Sequence, residues 1–143
     1  MGRTVQVVID CASPAALSRF WATALGYVVQ PPPDGFASWG EFLTGMGVPE
    51  EDWDSRSAVV DADGDGPRVF FQKVPEPKSV KNRVHLDIRT SGPEVHGEER
   101  RKGIDVRVQE LLAIGASLVR PVDEMGEYWV VLQDPEGNEF CVT

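Results

Sequence analysis

The chain has 143 residues, which suits one domain with a core of its own, and its 41% hydrophobic and 26% charged content excludes wholesale disorder. No apolar run reaches the ~18 residues that a bilayer span requires. Lys plus Arg number 14 against 23 Asp plus Glu, a net charge of −9 that repels phosphate backbones; no basic stripe reverses it, so nucleic acid is excluded as a partner.

The first residues, Met1 to Val5, show neither an apolar signal segment nor a small-residue cleavage site. Two cysteines, Cys11 and Cys141, make no disulfide framework. Both features predict a reducing, cytoplasmic setting with no membrane partner.

Val5 to Ile9 reads as a short apolar strand. Ser13 then suits an N-cap and Pro14 the first helical position, where its missing N–H costs nothing. Leu17, Phe20, Trp21, Ala24 and Leu25 follow at helical spacing as one apolar stripe, and Gly26 can close the helix. Strands follow over Val28 to Gln30, Ala58 to Asp61 and Arg68 to Val74, the last two joined by the turn Asp63-Gly64-Asp65-Gly66. Residues 31–56 interrupt this series with three prolines and the aromatics Phe36, Trp39, Phe42 and Trp53, a segment suited to a short helix or to covering the sheet.

The same order then recurs. Val84 to Ile88 reads as a strand and lays His85 on Gln6. A second helix is expected with Asp105 as its cap and Val108, Leu111 and Leu112 on its buried face. Glu98 to Lys102, before it, reads as solvated helix or loop. Strands follow over Ser117 to Arg120, Glu127 to Gln133 and Asn138 to Val142. Each half is thus β-α-β-β-β. The expected organisation is a single domain over 1–143, with module 1 at 1–77, a linker at 78–82 and module 2 at 83–143.

Alternation along the strands puts Val84, Leu86 and Ile88 on one face and Arg83, His85 and Asp87 on the other. Val5, Val7 and Ile9 likewise oppose Gln6, Val8 and Asp10. A polar stripe of this kind either faces water or lines a cavity that binds something. His85 with Gln6 at its repeat-equivalent place, and with Glu139 and Cys141 sharing one face of the last strand, forms a candidate metal cluster. The structural alternative is a His85 paired with Asp87 or Arg83.

The paired β-α-β-β-β units resemble the glyoxalase/bleomycin resistance/dioxygenase (vicinal oxygen chelate) superfamily, and its small glyoxalase-like group in particular. The residues that carry the resemblance are Ser13 to Tyr27 ending in Leu-Gly-Tyr, Phe70 to Lys78, Arg83-Val84-His85-Leu86-Asp87, and Asp134 to Phe140. The resemblance implies an α+β fold in which two βαβββ modules form curved mixed sheets around a central cavity. It also implies a homodimer, a small-molecule substrate or ligand, and one divalent metal (Zn, Ni, Mn or Fe) held by His85, Gln6 and Glu139.

The family sets a glutamate at the place that Cys141 occupies here, and the matching place in the first half falls near Phe71 or Gln72, with no carboxylate. The expected function is a glyoxalase-like enzyme, of the lyase, isomerase or dioxygenase type, acting on a small oxygenated molecule. The alternative is a metal-free protein that sequesters its ligand, as in the bleomycin-binding branch. Trp39, Gln72, Asp87, Trp129 and Cys141 are the expected pocket-lining residues.

Overall fold

The computed structural model describes residues 1–143 and divides into two compact units, Met1–Pro77 and Lys78–Thr143. No helix is long and apolar enough to cross a membrane.

Unit 1 runs β1 (Val7–Cys11), α1 (Pro14–Leu25), β2 (Val28–Val29), α2 (Trp39–Gly45), a 3-10 turn (Glu50–Ser55), β3 (Arg56–Val60) and β4 (Val69–Lys73). Its sheet is ordered β1-β4-β3-β2, with β1 and β4 parallel and the other pairs antiparallel. Register puts Val69 and Phe71 on one face with Val59 and Ser57, and this face receives α1. Leu17, Phe20, Trp21 and Ala24 are buried there, and the Ser57 hydroxyl lies 2.8 Å from that of the buried Ser18. Truncating one of these large side chains to Ala would cost about 2–5 kcal/mol, the lost transfer energy plus the cavity left behind. The opposite face carries Val8, Phe70 and Ala58 side by side, with Asp10, Gln72 and Arg56 one pair further along.

Helix α1 starts and stops where the sequence signals it, at Pro14 and before a left-handed Gly26. The capping differs from the expectation. The Ser13 side chain makes no cap hydrogen bond; Asp54, from the end of the 3-10 turn, accepts from the Ala15 N–H at 2.8 Å and from the Ser13 hydroxyl at 3.4 Å. A carboxylate at a helix N-terminus also meets the positive end of the helix dipole.

Unit 2 runs β5 (Asp87–Ile88), α3 (Gly97–Ala113), β6 (Ser117–Glu124), β7 (Glu127–Gln133) and β8 (Glu139–Val142). The sheet order is β5-β8-β7-β6, again with the first pair parallel. Ile104, Val108 and Leu111 of α3 are buried, as are Val122, Val130, Leu132, Phe140 and Val142 of the sheet. The helix begins eight residues before the expected cap. Asp105 lies within it and accepts from the Tyr128 hydroxyl at 2.5 Å. Its early turns, Glu98 to Lys102, are helical without an apolar face of their own.

Strand β5 is shorter than the alternation of 84–88 suggests. Val84 is exposed, outside the ladder, although the Leu86 carbonyl still accepts from the Cys141 N–H at 2.9 Å. The loop between β7 and β8 is organised by Asp134, which is buried; its carboxylate accepts from the backbone N–H groups of Glu136 and Asn138 and from the Asn138 amide.

Candidate functional site

The parallel β5–β8 ladder pairs Asp87 with Cys141, so the two side chains leave the sheet on the same face. Two residues before Asp87, His85 returns to that face. The outcome is a cluster in which one donor atom each from His85, Asp87 and Cys141 lies within 4.8 Å of the others. His85 Nε2 stands 3.3 Å from Asp87 Oδ1. Both side chains are about half exposed, at 54% and 52%, whereas Cys141 is 6% exposed, so the cluster has a buried floor and an open mouth.

Burial, together with the charges of Asp87 and Glu139, pushes the Cys141 thiol up to about 11. That negative field would equally favour a cation placed among these groups. Imidazole, carboxylate and thiolate are together a donor set suited to zinc; three protein ligands with one position left open is the pattern of catalytic zinc sites. The residues present therefore fit a divalent ion.

The other two residues expected as ligands, Glu139 and Gln6, have side-chain partners of their own. Glu139 lies 2.5 Å from the Lys81 ammonium, whose hydrogen bond holds its carboxyl below the ordinary range, and its backbone N–H donates to the Asn82 side chain. Gln6 belongs to unit 1, where its side-chain carbonyl accepts from Arg68 at 2.9 Å.

Unit 1 contains a cavity of about 990 Å³. Trp39, Phe42 and Leu43 of α2, Trp53 of the 3-10 turn and Phe70 of β4 supply apolar wall, and Gln30, Arg56 and Arg68 supply polar wall. Residues 31–56 thus contain both a short helix and a cavity wall, as their aromatic content suggests. Trp39 is fixed by a 2.8 Å hydrogen bond from its indole N–H to the Gln30 carbonyl, and stacks edge-on to Phe42 at 5.8 Å. The Trp53 indole donates to the Val48 carbonyl at 3.1 Å. Gly40 makes room for that ring, since a Cβ there would fall 2.8 Å from it.

A smaller cavity of about 450 Å³ in unit 2 is lined by Arg89, His96 and Arg100 and includes none of the expected site residues. Of the expected pocket residues, Trp39 lines the large cavity while Asp87 and Cys141 lie in the cluster. Gln72, exposed on β4, and Trp129, half-buried on β7, line neither cavity. Arg68 was not anticipated. It sits one residue before β4, and nothing in its local sequence separates it from a solvated strand-end arginine.

The model of the glyoxalase-like domain family matches residues 6–143. Among curated proteins none matches the chain. Several solved structures resemble it in fold. One is a glyoxalase/bleomycin resistance protein/dioxygenase family enzyme from Burkholderia phytofirmans, at 19% identity and TM-score 0.59 over 96% of this chain and 94% of that one. Another is a hypothetical protein from S. aureus, at 15% identity and TM-score 0.60 over 99% and 96%. A third is a mutant of the fosfomycin resistance protein FosX from Listeria monocytogenes, complexed with Mn(II) and 1S,2S-dihydroxypropylphosphonic acid. It matches at 6% identity and TM-score 0.63 over 99% and 89%. Two four-stranded mixed sheets, each built from a β-α-β-β-β unit, and a family match spanning nearly the whole sequence place the chain in the glyoxalase-like domain family of the vicinal oxygen chelate superfamily.

Proposed function

We propose that the chain is a divalent-metal-dependent glyoxalase-like enzyme acting on a small oxygenated molecule, with His85, Asp87 and Cys141 as its metal-holding residues. The observation that carries this reading is the convergence of three different donor types within 4.8 Å on one sheet face. A bound ion would supply Lewis-acid polarisation of a substrate oxygen. Cys141 anchors the set from the buried side, with His85 Nε2 and Asp87 Oδ1 3.3 Å apart at its open mouth. The half-exposed side of the pair leaves room for substrate to approach. A thiolate among the donors favours zinc over the harder Mn(II) that accompanies the FosX relative.

Calorimetric titration of the metal-stripped protein with zinc tests the assignment. One site per chain is expected. His85→Ala and Cys141→Ser should each weaken it by more than the roughly 10–100-fold that outer-sphere changes produce. Uptake that is unaltered in both variants would overturn the ligand set.

A second reading, metal-free sequestration of a ligand, is favoured by one observation: Glu139 is engaged by Lys81, leaving Asp87 as the only carboxylate in the cluster. Absence of zinc uptake by the wild-type protein would select it.

A further inference from the structure

We propose that the large cavity of unit 1 is a binding site for an organic anion, a small molecule with a planar apolar body and one carboxylate, for which Arg68 is the anchor.

The two repeats carry opposite chemistry at equivalent places. The alignment that lays Gln6 on His85 lays Val8 on Asp87. The ladders pair Asp87 with Cys141 and Val8 with Phe70, so Phe70 stands where the other unit has its thiol. Two residues earlier, Arg68 stands where the other unit has Glu139. Unit 1 therefore presents an arginine and an aromatic ring at the positions from which unit 2 presents a carboxylate and a thiol. A cation is the wrong ligand for such a surface.

The state of Arg68 points to an anion. Its Nε donates to the Gln30 side-chain carbonyl at 2.8 Å and one Nη donates to that of Gln6 at 2.9 Å, while the guanidinium stacks 5.2 Å from the Phe70 ring centroid. Both partners are neutral amides. They fix the fork without neutralising it, and they leave three of the five N–H donors of a guanidinium without an acceptor in the chain. In a protein of net charge −9, an arginine held by amides rather than by an acid is a cation kept uncompensated.

The remaining lining charges agree with this reading. Arg19 and Arg56 also line the cavity. Of its two acids, Asp54 is occupied at the α1 N-terminus and Asp52 lies exposed on the 3-10 turn. Trp39, Phe42, Trp53 and Phe70 supply the apolar faces, and about 990 Å³ matches the upper part of the roughly 300–1,000 Å³ range of small-molecule pockets.

The test is calorimetry of the full-length protein with naphthalene-2-carboxylate and with its neutral, near-isosteric carboxamide. Both titrations contain chelator, so the result is independent of the metal proposed for unit 2. The carboxylate should bind at one site per chain at least about tenfold more tightly than the amide, the scale of one charge-assisted hydrogen-bonded contact. Arg68→Met should abolish that preference and leave amide affinity within about twofold. Gln30→Glu gives Arg68 an acid partner, retains the side-chain size, and should abolish the preference in the same way. Equal binding of the two probes by the wild-type protein, a preference that survives both variants, or no binding of either probe up to its solubility limit would each overturn the proposal.

Discussion

Tyr128 shows how a single side chain reports its surroundings. Its hydroxyl donates to Asp105 at 2.5 Å, and Arg101 lies 4.2 Å from the ring centroid. Burial first, and then the hydrogen bond to Asp105, pushes the phenol up to about 12, against the opposing pull of Arg101. The folded chain therefore holds this proton more tightly than the unfolded chain, whose tyrosine titrates at 10.0. Stability linked to Tyr128 is present below pH 10 and is lost as the pH rises through about 12. Spectrophotometric titration of the phenolate band should show a tyrosine ionising near that value, and Asp105→Asn should move it down towards the ordinary tyrosine range. At this scale the sequence was partly legible. His85, Gln6 and Glu139 stood out as metal donors by alternation and by residue type, and Asp87 and Cys141 as pocket lining. The partner of Glu139, Lys81, lies 58 positions away in the chain and is not visible from its local sequence. Arg68 was illegible, because its significance lies in two amide partners from distant segments.

Among the elements, α1 announces both ends, yet the group that caps it comes from residue 54. Asp54→Ala should destabilise unit 1 by about 1 kcal/mol, the usual cost of losing a capping side chain. Denaturant titration measures this, and Ser13→Ala should cost less, since Ser13 gives the helix no cap hydrogen bond of its own.

The β6–β7 hairpin turns through Met125 and Gly126, at φ 54° and 78°, so Met125 occupies the left-handed region without the licence that Gly or Asn has there. Met125→Asn should raise stability by up to about 1 kcal/mol, readable as a higher Tm with unchanged far-UV circular dichroism. A loss of stability would contradict this, because the Met125 side chain is fully exposed and has no packing to lose. Helix α3 was legible only in its second half. Ile104, Val108 and Leu111 mark the buried stripe, while the turns over 98–102 carry charge alone and have no periodicity from which to place a start.

For the whole molecule, the duplicated β-α-β-β-β order is legible in the sequence, because strand, helix, glycine and hairpin signals recur in one order in both halves. Chemistry was harder to read from the repeat than topology. Identical strand order places Cys141 and Phe70, or Glu139 and Arg68, at corresponding points, and only the ladder registers show which residues correspond. The sequence alone had pointed to Phe71 or Gln72, a slip of one or two residues; a slip of one moves the side chain to the other face. The central claim is that unit 2 holds a divalent ion through His85, Asp87 and Cys141. Zinc K-edge X-ray absorption of the zinc-loaded wild-type protein tests it most directly. One sulfur scatterer per zinc is expected at about 2.3 Å, with nitrogen and oxygen completing the shell at about 2.0–2.2 Å. A shell of nitrogen and oxygen alone, or zinc that does not remain bound, would contradict it.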